Sequence, residues 1–76
     1  MATADLTAIQ SILGRVRLGA EVDRATPLFG EDGLALDSLE TAELSAMLED
    51  EFGKDPFSEG QMPDTVTDLL AYYGAA

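Results

Sequence analysis

The spacing of the apolar residues that follow Asp37 constrains the fold of this chain most strongly. Four of them recur at intervals of three or four residues: Leu44, Met47, Leu48 and Phe52. That spacing puts them on one face of an α-helix. Asp37 is a favourable N-cap, Glu40 stands three residues later as in a capping box, and Gly53 is a favourable helix end. We therefore predict a helix over residues 38–52 that begins at Ser38 and buries Leu44, Leu48 and Phe52.

Two further amphipathic segments flank this helix. Their apolar residues are Leu6, Ile9, Leu13 and Val16 in the first segment and Val66, Leu69, Leu70 and Tyr73 in the last. The first segment predicts a helix over about residues 5–18 with Gly19 as its C-cap. In the last segment, Thr65 and Asp68 repeat the capping-box pattern, and Gly74 is the predicted helix end.

The segment between the first two helices has no sustained periodicity. It contains a proline and two glycines, so we predict a long loop over residues 19–37. Its apolar residues, which we expect to pack on the core, are Leu28, Phe29, Leu34 and Leu36. An EF-hand beginning at Asp32 is excluded, because its sixth position is Asp37 where that motif requires glycine.

A shorter irregular segment follows the second helix. Pro56 and Pro63 bracket it, which predicts one short helical turn within residues 58–62, with Phe57 and Met62 in the core. The predicted fold is therefore all-α. It is a small bundle of three main helices plus one short helical turn, with a long loop between helices 1 and 2, in a single domain over residues 1–76.

The composition excludes several classes of function. The net charge of −11 makes nucleic acid and anionic membranes poor partners and favours basic protein surfaces. The chain has no cysteine and no histidine, so disulfides, Cys/His metal sites and the usual nucleophile–base pairs are absent. Neither a membrane span nor a secretory signal is visible. We expect a cytoplasmic, monomeric, non-catalytic protein without a metal.

Ser38 is the candidate functional residue. It falls in the first turn of the second helix, where free backbone N–H groups and the helix dipole favour a phosphate on its hydroxyl. The alternative is that Ser38 only contributes to the cap. Beside it, an outward-facing stripe contains Leu39, Glu43, Ala46 and Asp50, with Glu49 extending its negative charge. This stripe is either a docking face or an ordinary solvated surface.

Together these features resemble the acyl carrier protein family over nearly the whole chain. The residues that carry the resemblance are Asp37-Ser38-Leu39, Glu43-Leu44, Leu48-Glu49-Asp50-Glu51-Phe52-Gly53, Asp64-Thr65-Val66 and Asp68-Leu69. An isolated Asp-Ser-Leu triplet is common by chance. The ordered set, in an acidic chain of this length, is specific.

The resemblance implies a function for Ser38. In that family the serine at this position carries 4′-phosphopantetheine, and the thiol of this arm holds an acyl group as a thioester. Asp37 and Leu39 flank the attachment site. The implied partners are a phosphopantetheinyl transferase and acyl-loading and acyl-transferring enzymes, whose basic patches dock on Leu39, Glu43, Ala46, Glu49 and Asp50.

The chain departs from its apparent relatives at two places. The Gly-Gly and frequent His of peptidyl carriers are missing before Ser38, which favours acyl over aminoacyl cargo. Residues 55–63 differ from the pattern of fatty-acid carriers and resemble discrete carriers of polyketide and antibiotic pathways, including those that hold three-carbon units such as glyceryl groups. The alternatives are an unmodified acidic adaptor that binds a basic partner, and a peptidyl or aminoacyl carrier.

Overall fold

The structure is a computed structural model that describes residues 3–74. Within that range the helices are α1 (Leu6–Val16), α2 (Ser38–Phe52) and α3 (Val66–Tyr72), and a 3₁₀ helix (Phe57–Glu59) precedes α3. This arrangement confirms the predicted all-α bundle with a long loop between the first two helices. It also confirms the predicted start and end of α2.

A side-chain cap begins each α-helix, as expected for orphan N–H groups in the first turn. The Asp5 carboxylate accepts a hydrogen bond from the N–H of Ala8, 2.9 Å away. The capping boxes predicted at the starts of α2 and α3 are both formed. Gly53 ends α2 with a φ of 83°, a left-handed conformation that favours glycine.

One apolar core lies between the three helices and the long loop. Its buried residues are Ile9, Ile12, Leu13, Leu28, Leu34, Leu36, Leu44, Leu48, Phe52, Val66, Leu69 and Leu70. The predicted stripe of α2 is therefore buried, and three of the four apolar loop residues are in the core. Phe29, the fourth, is half-buried against it.

Backbone hydrogen bonds hold the long loop against the start of α3. Pro27 and Thr65 form an isolated antiparallel bridge. On either side of it, the N–H of Leu28 donates to the carbonyl of Asp64 at 2.8 Å, and the N–H of Val66 donates to the carbonyl of Thr26 at 3.0 Å. These bonds link two segments far apart in the sequence, so the loop is an ordered part of the fold.

Several local predictions are wrong. The C-caps of α1 and α3 are Arg17 and Tyr73 rather than the predicted Gly19 and Gly74. The short helical turn is Phe57–Glu59 rather than a turn within residues 58–62. Helix α1 ends at Val16 rather than at residue 18, because Arg17 adopts an extended backbone that lets its guanidinium reach Glu40. Met62 is 66% exposed, not in the core. Gly60 ends the 3₁₀ helix with a φ of 79°, and the buried residue of the following segment is Pro63.

Candidate functional site

Ser38 is exposed in the first turn of α2, as predicted from the sequence. The Asp37 carboxylate accepts from the N–H of Glu40 at 2.8 Å, and the Glu40 carboxylate accepts from the N–H of Asp37 at 3.2 Å. The hydroxyl of Thr41 donates to the Asp37 carbonyl at 2.8 Å. These bonds fix the backbone on both sides of Ser38.

A second contact ties the same turn to α1. The Arg17 guanidinium donates two hydrogen bonds of 2.6 Å to the two carboxylate oxygens of Glu40. The hydrogen bond from Arg17 and that from the Asp37 N–H hold the pKa of Glu40 below its usual value, while the partner carboxylate raises the pKa of Arg17. Bidentate geometry is directional, so this pair orients the start of α2 relative to the end of α1.

The chain enters this turn through a strained residue. Ala35 has a φ of 50°, which is uncommon for a residue with a Cβ. The N–H of Leu36 then donates to the carbonyl of Leu28 at 3.1 Å, and the Leu36 side chain is buried. The reversal at Ala35 therefore lets Leu36 enter the core while Asp37 and Ser38 stay at the surface.

Ser38 borders an open groove of about 540 Å³. One side of the groove is a face of α2 formed by Ser38, Thr41, Ala42 and Ser45. The facing side is mainly apolar and contains Phe29, Leu36, Phe57 and Met62. The rings of Phe29 and Phe57 meet edge to face with their centroids 6.4 Å apart. The groove is thus mainly apolar, and Ser38 is one of the residues that line it.

Two serines that line the groove, Ser45 and Ser58, bind a buried carboxylate whose burial was not predicted from the sequence. Asp55 is 1% exposed. It accepts hydrogen bonds from the hydroxyl of Ser45 at 2.7 Å, from the N–H of Ser58 at 2.9 Å and from the hydroxyl of Ser58 at 2.7 Å. We call Asp55, Ser45 and Ser58 the Asp55 cluster.

The hydrogen bonds of the Asp55 cluster keep the carboxylate charged. Burial alone would raise the pKa of Asp55, but the donors on Ser45, Ser58 and the Phe57 backbone lower it below its ordinary value. A sequence signal for part of this cluster exists. Asp55 followed by Pro56, with Ser58 three residues on, is the pattern of a capped helical start.

The exposed surface of α2 also contains the residues predicted for partner docking. All five residues predicted for partner docking are exposed: Leu39, Glu43, Ala46, Glu49 and Asp50. Leu39 is 69% exposed, which is high for so large an apolar side chain. We call these five residues the outer face. None of these five residues lines the groove.

No protein-family model and no solved structure matches the chain. Among residues 3–74, no helix is both long and apolar enough to cross a membrane. In the same described part of the chain, no group of three or more acidic, histidine or cysteine side chains could hold a metal ion.

Proposed function

We propose that this protein is an acyl carrier protein and that Ser38 carries 4′-phosphopantetheine. The observation that supports this most is the position of Ser38, which is exposed at a capped helix start and borders a groove. The helix start favours the phosphodiester through its backbone N–H groups and dipole. The neighbouring groove can receive a flexible arm attached to the same hydroxyl.

The proposed modification is a phosphoryl transfer from coenzyme A. The oxygen of the Ser38 hydroxyl forms a bond to the phosphorus next to the pantetheine, and the pyrophosphate bond breaks. The leaving group is adenosine 3′,5′-bisphosphate, and the transferase removes the serine proton. The arm then supplies a thiol that a chain without cysteine lacks. The acyl group is held on this thiol as a thioester.

The protein presents the thioester and does not transform it. Histidine and cysteine are absent, so the usual catalytic pairs cannot form. Partner enzymes with basic patches, including the transferase, dock on the outer face beside the arm. A net charge of −11 steers such partners electrostatically and makes their association sensitive to salt. We place the protein in the cytoplasm as a monomer.

The proposed pathway class is the biosynthesis of polyketides or related natural products, with a small acyl unit of about three carbons as the cargo. The lining of the groove supports a short or polar cargo, because Ser45 and Ser58 bring hydroxyl groups to it. A long alkyl chain would meet these hydroxyl groups instead of an uninterrupted apolar surface.

The experiment is enzymatic loading followed by intact mass measurement. The unmodified protein is incubated with coenzyme A and a broad-specificity phosphopantetheinyl transferase. We expect the wild type to gain the mass of one arm and Ser38→Ala to gain nothing. Ser11→Ala is the matched control, because Ser11 is an exposed helical serine on α1. It should load as the wild type does.

The same experiment separates the carrier from an unmodified adaptor. An adaptor would use the charge and the exposed Leu39 for binding but would have no use for the hydroxyl of Ser38. A wild-type protein that stays unmodified with several transferases, while keeping its helical circular dichroism, would contradict the carrier proposal and favour the adaptor.

A further inference from the structure

We propose that Ser45 and Ser58, held by Asp55, form a pair of hydrogen-bond acceptors in the groove that binds an N–H or O–H group of the arm or its cargo. This inference rests on the proposed function. The inference adds a specificity determinant to that function. The groove prefers a ligand that carries a hydrogen-bond donor at the position of Ser45 and Ser58.

The direction of their hydrogen bonds to Asp55 makes both serine hydroxyls acceptors toward a ligand. A serine hydroxyl has one proton and two lone pairs. The protons of Ser45 and Ser58 are both donated to Asp55, each over 2.7 Å. The carboxylate is ionised, since its hydrogen-bond donors lower its pKa, and it has no proton to give back. Each hydroxyl therefore offers only acceptor lone pairs to a ligand.

The location of the pair puts it within reach of the proposed arm. Ser38, Ser45 and Ser58 all border the same groove. Ser45 lies about two helical turns beyond Ser38 on the same face of α2, or roughly 10 Å along the axis. An extended phosphopantetheine arm is longer than that and has two amide N–H groups along its length, followed by the acyl group.

The surrounding groove makes the pair selective. Apolar side chains of Phe29, Leu36, Phe57 and Met62 lie in the groove together with the two serines. A ligand donor at the serine oxygens gains a hydrogen bond, whereas an alkyl group there displaces water without replacing its bonds. Sites built to hydrogen-bond a hydroxyl discriminate strongly against analogues that lack it. An acyl group with a hydroxyl therefore fits better than the alkyl group of equal length.

The test compares three loaded forms with the unmodified protein by ¹H–¹⁵N NMR. The forms carry the free arm, a propionyl group and a 3-hydroxypropionyl group, and intact mass verifies each one. If the cargo supplies the donor, the backbone amide signals of Ser45 and Ser58 shift more with hydroxypropionyl than with propionyl. If an arm amide supplies it, all three forms show the same shift. Either result supports the proposal.

Variants separate binding from a general response to loading. Ser45→Ala removes one acceptor and should reduce the loading-induced shift at Ser58, while Ser11→Ala on the exposed side of α1 should leave it unchanged. Shifts at Ser45 and Ser58 no larger than the chain-wide median in all three loaded forms would overturn this inference and leave the carrier proposal intact. A Ser38 that cannot be loaded at all would overturn both.

Discussion

Replacing Asp55 by asparagine should destabilise the protein in a pH-dependent way. Asp55 accepts three hydrogen bonds in a nearly fully buried position. Each bond to a charged group stabilises the fold by about 1.5–3 kcal/mol and each neutral bond by about 0.5–1.5 kcal/mol. Asparagine keeps one acceptor oxygen, but its amide group faces a donor hydroxyl. Burying a neutral amide costs less than burying a charged carboxylate, which offsets part of this loss. We therefore expect the free energy of unfolding to fall by about 2 kcal/mol at neutral pH.

The sign of the pH dependence follows from the lowered pKa of Asp55. The pKa of its carboxylate is lower in the folded protein than the ordinary value of 3.8. The stabilising contribution is therefore fully present above about pH 4 and is lost as the pH falls through the lower, folded-state pKa. The difference between wild type and Asp55→Asn should be largest near neutral pH and should shrink below about pH 4.

Urea unfolding followed by far-UV circular dichroism measures this difference at several pH values. Asp50→Asn is the matched control, because it removes the same charge from an exposed position on α2. It should change the free energy of unfolding by less than about 0.5 kcal/mol at every pH. A gap for Asp55→Asn that is the same at acidic and neutral pH, or no larger than that of the control, would refute this account of the Asp55 cluster.

Three further predictions concern the core, the loop and the outer face. Phe52→Ala should lower the free energy of unfolding by roughly 3–5 kcal/mol, because a buried ring next to Tyr73 is lost; a melting temperature within about a degree of wild type would contradict this. Ala35→Gly should be more stable than Ala35→Val by roughly 1–3 kcal/mol in urea unfolding, since the positive φ of residue 35 strains a β-branched side chain most; equal stabilities would refute the assigned strain. Glu43→Lys should slow loading by the transferase and weaken its salt dependence, whereas Leu39→Ala should slow it with the salt dependence intact. Equal loading rates and salt slopes for these two variants and wild type would identify the outer face as ordinary solvated surface.

Features encoded by neighbouring residues could be predicted from the sequence. The start of α2 follows from Asp37 and Glu40, which interact across one helical turn, and its end follows from Gly53. The exposed position of Ser38 in that first turn follows from the same local pattern. The buried stripe of α2 follows from spacing alone, because the apolar residues repeat with the helical period.

Features that depend on distant contacts could not be predicted in this way. Helix α1 ends two residues early because Arg17 pairs with Glu40, a residue on another helix. The Asp55 cluster depends on Ser45, which lies on α2 ten residues earlier in the chain. Because aspartate is rarely buried, the sequence around Asp55 by itself indicates a solvent-exposed turn. The lining of the groove combines α2, the long loop and the segment before α3, and no single stretch encodes it.

The central claim is that Ser38 is the attachment site of the arm. Fragmentation mass spectrometry of the wild type after reaction with coenzyme A and a transferase tests it most directly, because it locates the added mass on one residue. We predict a single phosphopantetheine group on Ser38 and none on Ser11, Ser45 or Ser58. Modification of any of those three serines in place of Ser38, or no modification of the folded protein, would contradict the claim.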